Sequence, residues 1–252
     1  MSGSAYPLAG GPQTGADLPP ASGVLFYLLL LLGTALIFAA WPNLDLAASR
    51  FAQEVAGGEG FAPRDGSWWL LYAGMKPAFF VLMGAIGVLG FVSWVLGRPF
   101  LAITPRRALF AIAAMALIQG LVIDVYLKDG FGRARPREIE AFGGALTYTP
   151  YYLVSEACSS NCSFVSGHAG MAYSTFVLCF MATTQVWRRR LFWAALAFGL
   201  LTGWMRVIQG AHFLSDVLFS GLVVWGLTWL LALAFLRPWG QPLDRLLPDF
   251  RA

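Results

Sequence analysis

Six long apolar runs govern what this 252-residue chain can fold into. They occupy residues 23–41, 67–96, 108–127, 167–186, 191–207 and 217–236. A helix needs about 20 apolar residues to cross the roughly 30 Å of a bilayer's hydrocarbon, and runs of this length are rare in the core of a soluble domain. The runs are continuous rather than alternating, which selects helices over a barrel. The 67–96 run is the longest and predicts a helix that is tilted or extends into the interface. The expected fold is all-α, a polytopic membrane protein with six transmembrane helices. Composition agrees: 58% of residues are hydrophobic and 12% charged, about half the charged share of an ordinary soluble domain. A disordered chain, a coiled coil and a nucleic-acid binder are excluded. The 17 Lys and Arg against 13 Asp and Glu are too diluted by apolar runs to make a basic binding face. Three cysteines exclude a disulfide-stapled mini-scaffold and a Cys-rich metal cluster.

Residues 1–22 are rich in Gly, Pro, Ser and Ala with no Lys or Arg. They are read as a disordered N-terminal tail rather than a secretory signal, which would need a positive start. Residues 23–236 form the membrane domain and 237–252 a C-terminal tail. Short loops set the orientation. Arg98, Arg106 and Arg107 follow the second run, Arg188, Arg189 and Arg190 the fourth, and Arg237, Arg245 and Arg251 the sixth. The positive-inside rule puts these in the cytoplasm with both termini. Residues 43–66 and 128–166 then lie outside. Leu44, Ala48, Phe51 and Val55 share one helical face, which predicts an interfacial helix.

Three polar clusters lie at the outer ends of the runs. The first holds Lys128, Arg133, Arg135 and Arg137 within ten residues. Lys and Arg offer only donors, and Arg makes forked contacts to phosphate oxygens; a headgroup-binding basic patch is the plainer alternative. The second is Ser166-Gly167-His168. A Ser-Gly pair opening a helix presents a hydroxyl and free backbone N–H groups to an anion; a helix cap beside a structural histidine is the alternative. The third is Arg206, His212 and Asp216. His212 and Asp216 share a face at i, i+4 if helical, and a carboxylate on one ring nitrogen raises the basicity of the other. An interfacial salt bridge is the alternative. Both histidines of the chain fall in these clusters. Such a cationic pocket suits an anion and repels Mg²⁺ or Zn²⁺, so metal-free phosphoryl chemistry without a cofactor is expected.

The spacing Lys128-x6-Arg135-Pro136, Ser166-Gly167-His168 and Arg206-x5-His212-x3-Asp216 resembles the type 2 phosphatidic acid phosphatase family, a relative of the vanadium haloperoxidases. The resemblance covers residues 120–220 and matches the six-helix plan. It implies that Lys128, Arg135 and Arg206 hold phosphate oxygens, with Ser166 and the Gly167 backbone completing the cradle. It implies further that His212 attacks phosphorus to form a phosphohistidine, that Asp216 orients His212, and that His168 protonates the leaving oxygen. Two positions depart from the family pattern: Val165 stands where a proline is usual, and Met205 where a serine is common. Neither removes a catalytic group. The implied activity is hydrolysis of a terminal phosphate from a lipid at the outer face of the inner membrane. Lipid A, phosphatidylglycerophosphate, phosphatidic acid and undecaprenyl pyrophosphate are the candidate substrates. Lipid-to-lipid phosphotransfer, or non-catalytic lipid binding or transport, are the alternatives.

Some features lie outside the motifs. Asp124 is spaced to pair with Lys128. Lys76 lies within the second run, where an ionisable residue is a functional candidate, although snorkelling outward is the alternative. Cys158 and Cys162 fall in the periplasmic segment, where either a disulfide or two free thiols is allowed. Cys179 lies inside a run and reads as packing. Trp41, Trp68, Trp187 and Trp239 stand at run ends as interfacial anchors.

Overall fold

The computed structural model describes residues 21–63 and 69–236. The expected N-terminal and C-terminal tails lie outside the described residues, apart from Ala21 and Ser22, which begin the first helix. Arg64, Trp68, Arg237, Trp239, Arg245 and Arg251 also lie outside them. The helices are α1 (Ala21–Ala40), α2 (Asn43–Val55), α3 (Trp69–Val95), α4 (Pro105–Ala116), α5 (Lys128–Phe131), α6 (Gly167–Tyr173), α7 (Val177–Met181), α8 (Gln185–Ile208) and α9 (Leu214–Leu236). A π-helical stretch, Leu117–Leu127, joins α4 to α5 without a break. The described residues contain no β-strand, only two isolated bridges.

Five of these helical segments are long and apolar enough to cross a membrane: Gly23–Ala40, Tyr72–Val95, Pro105–Glu138, Gln185–Ile208 and Leu214–Leu236. The buried share rises from 6% in the first to 56% in the last, so α1 lies on the rim and α9 at the centre. Small residues let the helices close. A Cβ at Gly199 of α8 would sit 2.1 Å from the Tyr173 ring, and one at Gly203 2.1 Å from Val217, the close approach typical of membrane helix pairs. On α1, Tyr27 donates to the Leu222 carbonyl at 3.0 Å and meets Trp225 edge-on.

The 167–186 run differs from the single span expected for it. It is split into α6, a 3₁₀ turn Ser174–Phe176 and α7, of seven, three and five residues. At about 1.5 Å per residue that is roughly 22 Å, short of the hydrocarbon thickness. The Ser174 hydroxyl donates back to the Gly170 carbonyl at 2.9 Å and that of Thr175 to Ala172 at 2.6 Å, competing with the regular helical ladder. Nearly all of its apolar side chains are buried by neighbouring helices. The Arg188–Arg190 triplet also differs from expectation. It lies inside α8, because Thr184 caps that helix by accepting from the Trp187 N–H, and arginine is a good helix former.

The expected helix in the 43–66 segment is α2, with its polar side turned inward. Asp45, Ser49 and Ala52 are buried while Leu44, Phe51 and Val55 are exposed. The long connection from 132 to 166 packs on α2 and the α8–α9 turn. Ala134, Ile139 and Phe213 form a small second core beneath it. Tyr148 donates to the Pro42 carbonyl at 2.8 Å and Tyr151 to the Ala35 carbonyl at 2.9 Å. Cys158 and Cys162 are joined as a disulfide, and Cys179 is a buried free thiol.

Candidate active site

The three polar clusters meet at one end of the bundle, where a cavity of about 580 Å³ opens. The π-helical stretch ends there on Lys128, and π segments often mark functional sites. Gln119 donates to Asp124 at 3.1 Å across an i, i+5 step, the spacing that a π turn stacks on one face. Asp124 pairs in turn with Lys128 at 3.2 Å, as expected. The chain then leaves the helix through Gly132, whose φ is +58°. A Cβ at that glycine would lie 1.8 Å from the Ser155 carbonyl, so only glycine lets the 155–163 segment dock here.

Lys128, Arg135, Gly167, His168, Arg206 and His212 all line this cavity. Lys128, Arg135 and Arg206 are almost fully buried. Gly167 opens α6, and its Cβ position lies 2.8 Å from Lys128 Nζ, so the lysine occupies the space a side chain would take. Ser166 caps α6 by accepting from the Ala169 N–H at 3.5 Å. It is fully buried and not part of the cavity wall. Arg206 ends α8, where a cation favours the helix dipole, and donates to the Gln209 side chain.

His212 sits in the α8–α9 turn and is almost wholly buried. Its Nδ1 lies 2.7 Å from the Ser163 carbonyl oxygen. A carbonyl only accepts, so Nδ1 carries the proton and Nε2 keeps its lone pair. Asp216 is 3.7 Å from the same ring nitrogen, beyond hydrogen-bond reach. The tautomer is therefore fixed by the Ser163 backbone, and the carboxylate acts on the ring as a nearby charge. Asp216 is itself held by the Ser163 hydroxyl at 2.5 Å, the Phe213 N–H at 2.8 Å and Arg133 at 2.5 Å. Burial pushes the His212 imidazole down to about 4, with Asp216 opposing and Arg206 and Arg135 adding to the fall.

Arg133, grouped by sequence with the phosphate-facing cations, points away from the cavity. It is buried behind His212, between Asp216 and Asp45 of α2 at 2.8 Å. It also donates to Ser215 at 2.9 Å and to the Thr149 carbonyl at 2.7 Å, and lies over the Phe213 ring. Asp45 accepts from the Ser215 backbone at 2.8 Å and from its hydroxyl at 2.6 Å. Burial raises the Asp45 carboxyl above its usual range despite the guanidinium beside it. Arg137 lies 3.8 Å from Glu138 and is also absent from the cavity wall.

Three contributors were not apparent in the sequence. Tyr72 of α3 stacks on His168, with ring centroids 5.1 Å apart, and the Arg206 guanidinium lies 4.8 Å from its centroid. Asn161 accepts from Lys128 at 3.0 Å. Ser163 contributes both its carbonyl and its hydroxyl. A single aromatic in an apolar run and polar residues in a Ser-rich loop carry no spacing signal. Lys76, named from its place in the second run, lines the cavity. Among the described residues no group of three or more His, Cys, Asp or Glu is placed to hold a metal.

Comparison with known proteins agrees with these motifs. Residues 106–239 match the PAP2 superfamily. The lipid A 4'-phosphatase of Francisella tularensis subsp. novicida is 33% identical over 212 residues, covering 79% of this chain and 92% of that protein. The lipid A 4'-phosphatase of Rhizobium etli is 34% identical over 199 residues, covering 72% of this chain and 75% of its own. That of Rhizobium leguminosarum is 32% identical over 203 residues, covering 74% and 84%. No solved structure matches the chain.

Proposed function

Since this chain belongs to the PAP2 superfamily, a superfamily of phosphatases, we propose that it hydrolyses a phosphate monoester of a lipid A-type glycolipid through a phosphohistidine on His212. That it is a lipid phosphatase of a bacterial membrane follows from its family and relatives. The observation that carries the finer reading is the cavity in which both imidazoles and four phosphate-binding candidates meet.

In this mechanism Lys128, Arg135, Arg206 and the Gly167 backbone bind the phosphoryl oxygens, with Ser166 holding the turn. These charges stabilise the transferring group. The His212 Nε2 lone pair attacks phosphorus in line, and the bond to the lipid oxygen breaks. His168 gives its proton to that oxygen, then takes one from the water that cleaves the phosphohistidine. Positive charge grows on the His212 ring as the N–P bond forms, and Asp216 at 3.7 Å offsets it. Arg133 holds Asp216 in place. No metal enters the scheme; the cationic wall of Lys76, Lys128, Arg135 and Arg206 supports this.

We further propose that residues 23–236 cross the inner membrane six times, the α6–α7 segment being the short crossing. The Arg98, Arg106–Arg107 and Arg188–Arg190 groups lie at the helix ends away from the cavity, which supports cytoplasmic termini and a periplasmic site.

The test is purified protein in detergent, given a panel of phosphorylated lipids with a chelator present. Release of free phosphate from lipid A, lost in His212→Ala and His168→Ala, is expected. Full activity in both variants, or a need for added Mg²⁺, would overturn the mechanism. Reaction in ¹⁸O-labelled water should label the phosphate; unlabelled product would point to transfer between lipids.

A further inference from the structure

We propose that Asn161, bracketed by the Cys158–Cys162 disulfide, is a positioning residue that aims Lys128 and Arg135 at the substrate's phosphate; this rests on the phosphatase reading above. Asn161 meets both cations at once. Its side-chain oxygen accepts from Lys128 Nζ at 3.0 Å, and its backbone carbonyl accepts from the Arg135 guanidinium. Its own N–H donates to Asp129 at 2.9 Å.

Lys and Arg side chains are flexible and cost entropy to hold. A lysine has three N–H donors. Two are directed here, one to Asn161 and one to Asp124 at 3.2 Å, which leaves the third for an anion in the cavity. Asn161 thus turns a mobile ammonium into an aimed one.

The loop is built to keep Asn161 there. Its φ is +50°, a left-handed conformation that asparagine tolerates better than most residues. The disulfide joins residues on either side of it, four apart in sequence. Three backbone hydrogen bonds dock the segment beside Lys128. Ser155 donates to the Phe131 carbonyl at 2.9 Å, Cys158 to Gly132 at 3.1 Å, and Ser163 to Arg133 at 2.8 Å. The last of these residues also supplies the carbonyl that orients His212. Asn161 itself borders the cavity.

The experiment uses the full-length protein in detergent and reads KM, kcat and the inhibition constant of inorganic phosphate. Asn161→Gly keeps the left-handed backbone and the carbonyl facing Arg135 but removes the acceptor for Lys128. It should raise KM and the phosphate constant about tenfold, the worth of one charge-assisted hydrogen bond, with kcat changed less than about threefold. Dithiothreitol passes two electrons and two protons to the disulfide, giving two thiols and its own cyclic disulfide. That treatment should shift the wild type the same way and leave the Cys158→Ser/Cys162→Ser double variant, already shifted, unchanged. Because reduction acts on protein that is already folded, it decides the matter if a variant fails to fold. An unchanged phosphate constant, or a fall in kcat alone, in an otherwise active enzyme overturns the aiming role. Oxidised wild-type protein that neither binds nor releases phosphate overturns the parent reading as well.

Discussion

Arg133 and Asp45 are 88 residues apart in sequence and meet at 2.8 Å in the protein interior. The pair ties α2 to the back of the site, because the same guanidinium holds Asp216 at 2.5 Å. Arg133→Met should leave two buried carboxylates without their cation, held only by neutral donors, and cost about 3–5 kcal/mol. Adding Asp45→Asn should recover part of that loss, since it removes one orphaned charge. Thermal unfolding in detergent of the two single variants and the double gives the coupling; simple additivity would show that the pair does not act as a unit.

The depressed His212 pKa has a stability consequence. In the unfolded chain the ring takes a proton near 6.5, whereas in the folded protein it does so only near 4. The unfolded state therefore binds more protons between those values, and stability is lost as pH falls through that window. From pH 7 to pH 4.5 the loss from this group is on the order of 2 to 3 kcal/mol. Denaturation midpoints of the wild type should fall more steeply than those of His212→Gln. Parallel pH profiles would contradict a buried neutral imidazole.

Gly167→Ala should separate function from stability. The new methyl group would displace the Lys128 ammonium, 2.8 Å from its position, and the end of a lysine moves at little cost. Unfolding temperature should stay nearly constant while kcat/KM drops about tenfold, as for one lost charge-assisted contact. Parallel losses in both would mean that the helix start itself had failed.

Orientation can be read by labelling. Glu59 and Arg98 are both exposed, one in the connection before α3 and the other after it. In intact spheroplasts a membrane-impermeant maleimide should label Glu59→Cys and should reach Arg98→Cys only after lysis. The reverse pattern would put the cavity on the cytoplasmic side.

The helical class and the meeting of the three clusters were legible in the sequence, since both follow from residue type and spacing. The α6–α7 segment was not. Hydropathy registers that a segment avoids water and does not distinguish burial by lipid from burial by Tyr173's neighbours in α8 and α9. Spacing alone groups Arg133 with Arg135, because nearby like charges look equivalent, yet Arg135 lines the cavity and Arg133 turns behind it. The difference depends on Asp45, which only the folded chain brings near. The i, i+4 spacing predicts a carboxylate on one His212 ring nitrogen; His212 lies in the turn before α9, and a backbone carbonyl, which has no sequence signature, takes that nitrogen's bond instead.

The turn carrying His212 and the first turn of α9 come last among the segments that build the cavity. A nascent chain emerging from the ribosome would thus insert Lys128 and Arg135 well before its proposed nucleophile, and Arg206 only six residues before it. On the proposed mechanism, hydrolytic competence would arrive only once that turn and the start of the final helix have been translated.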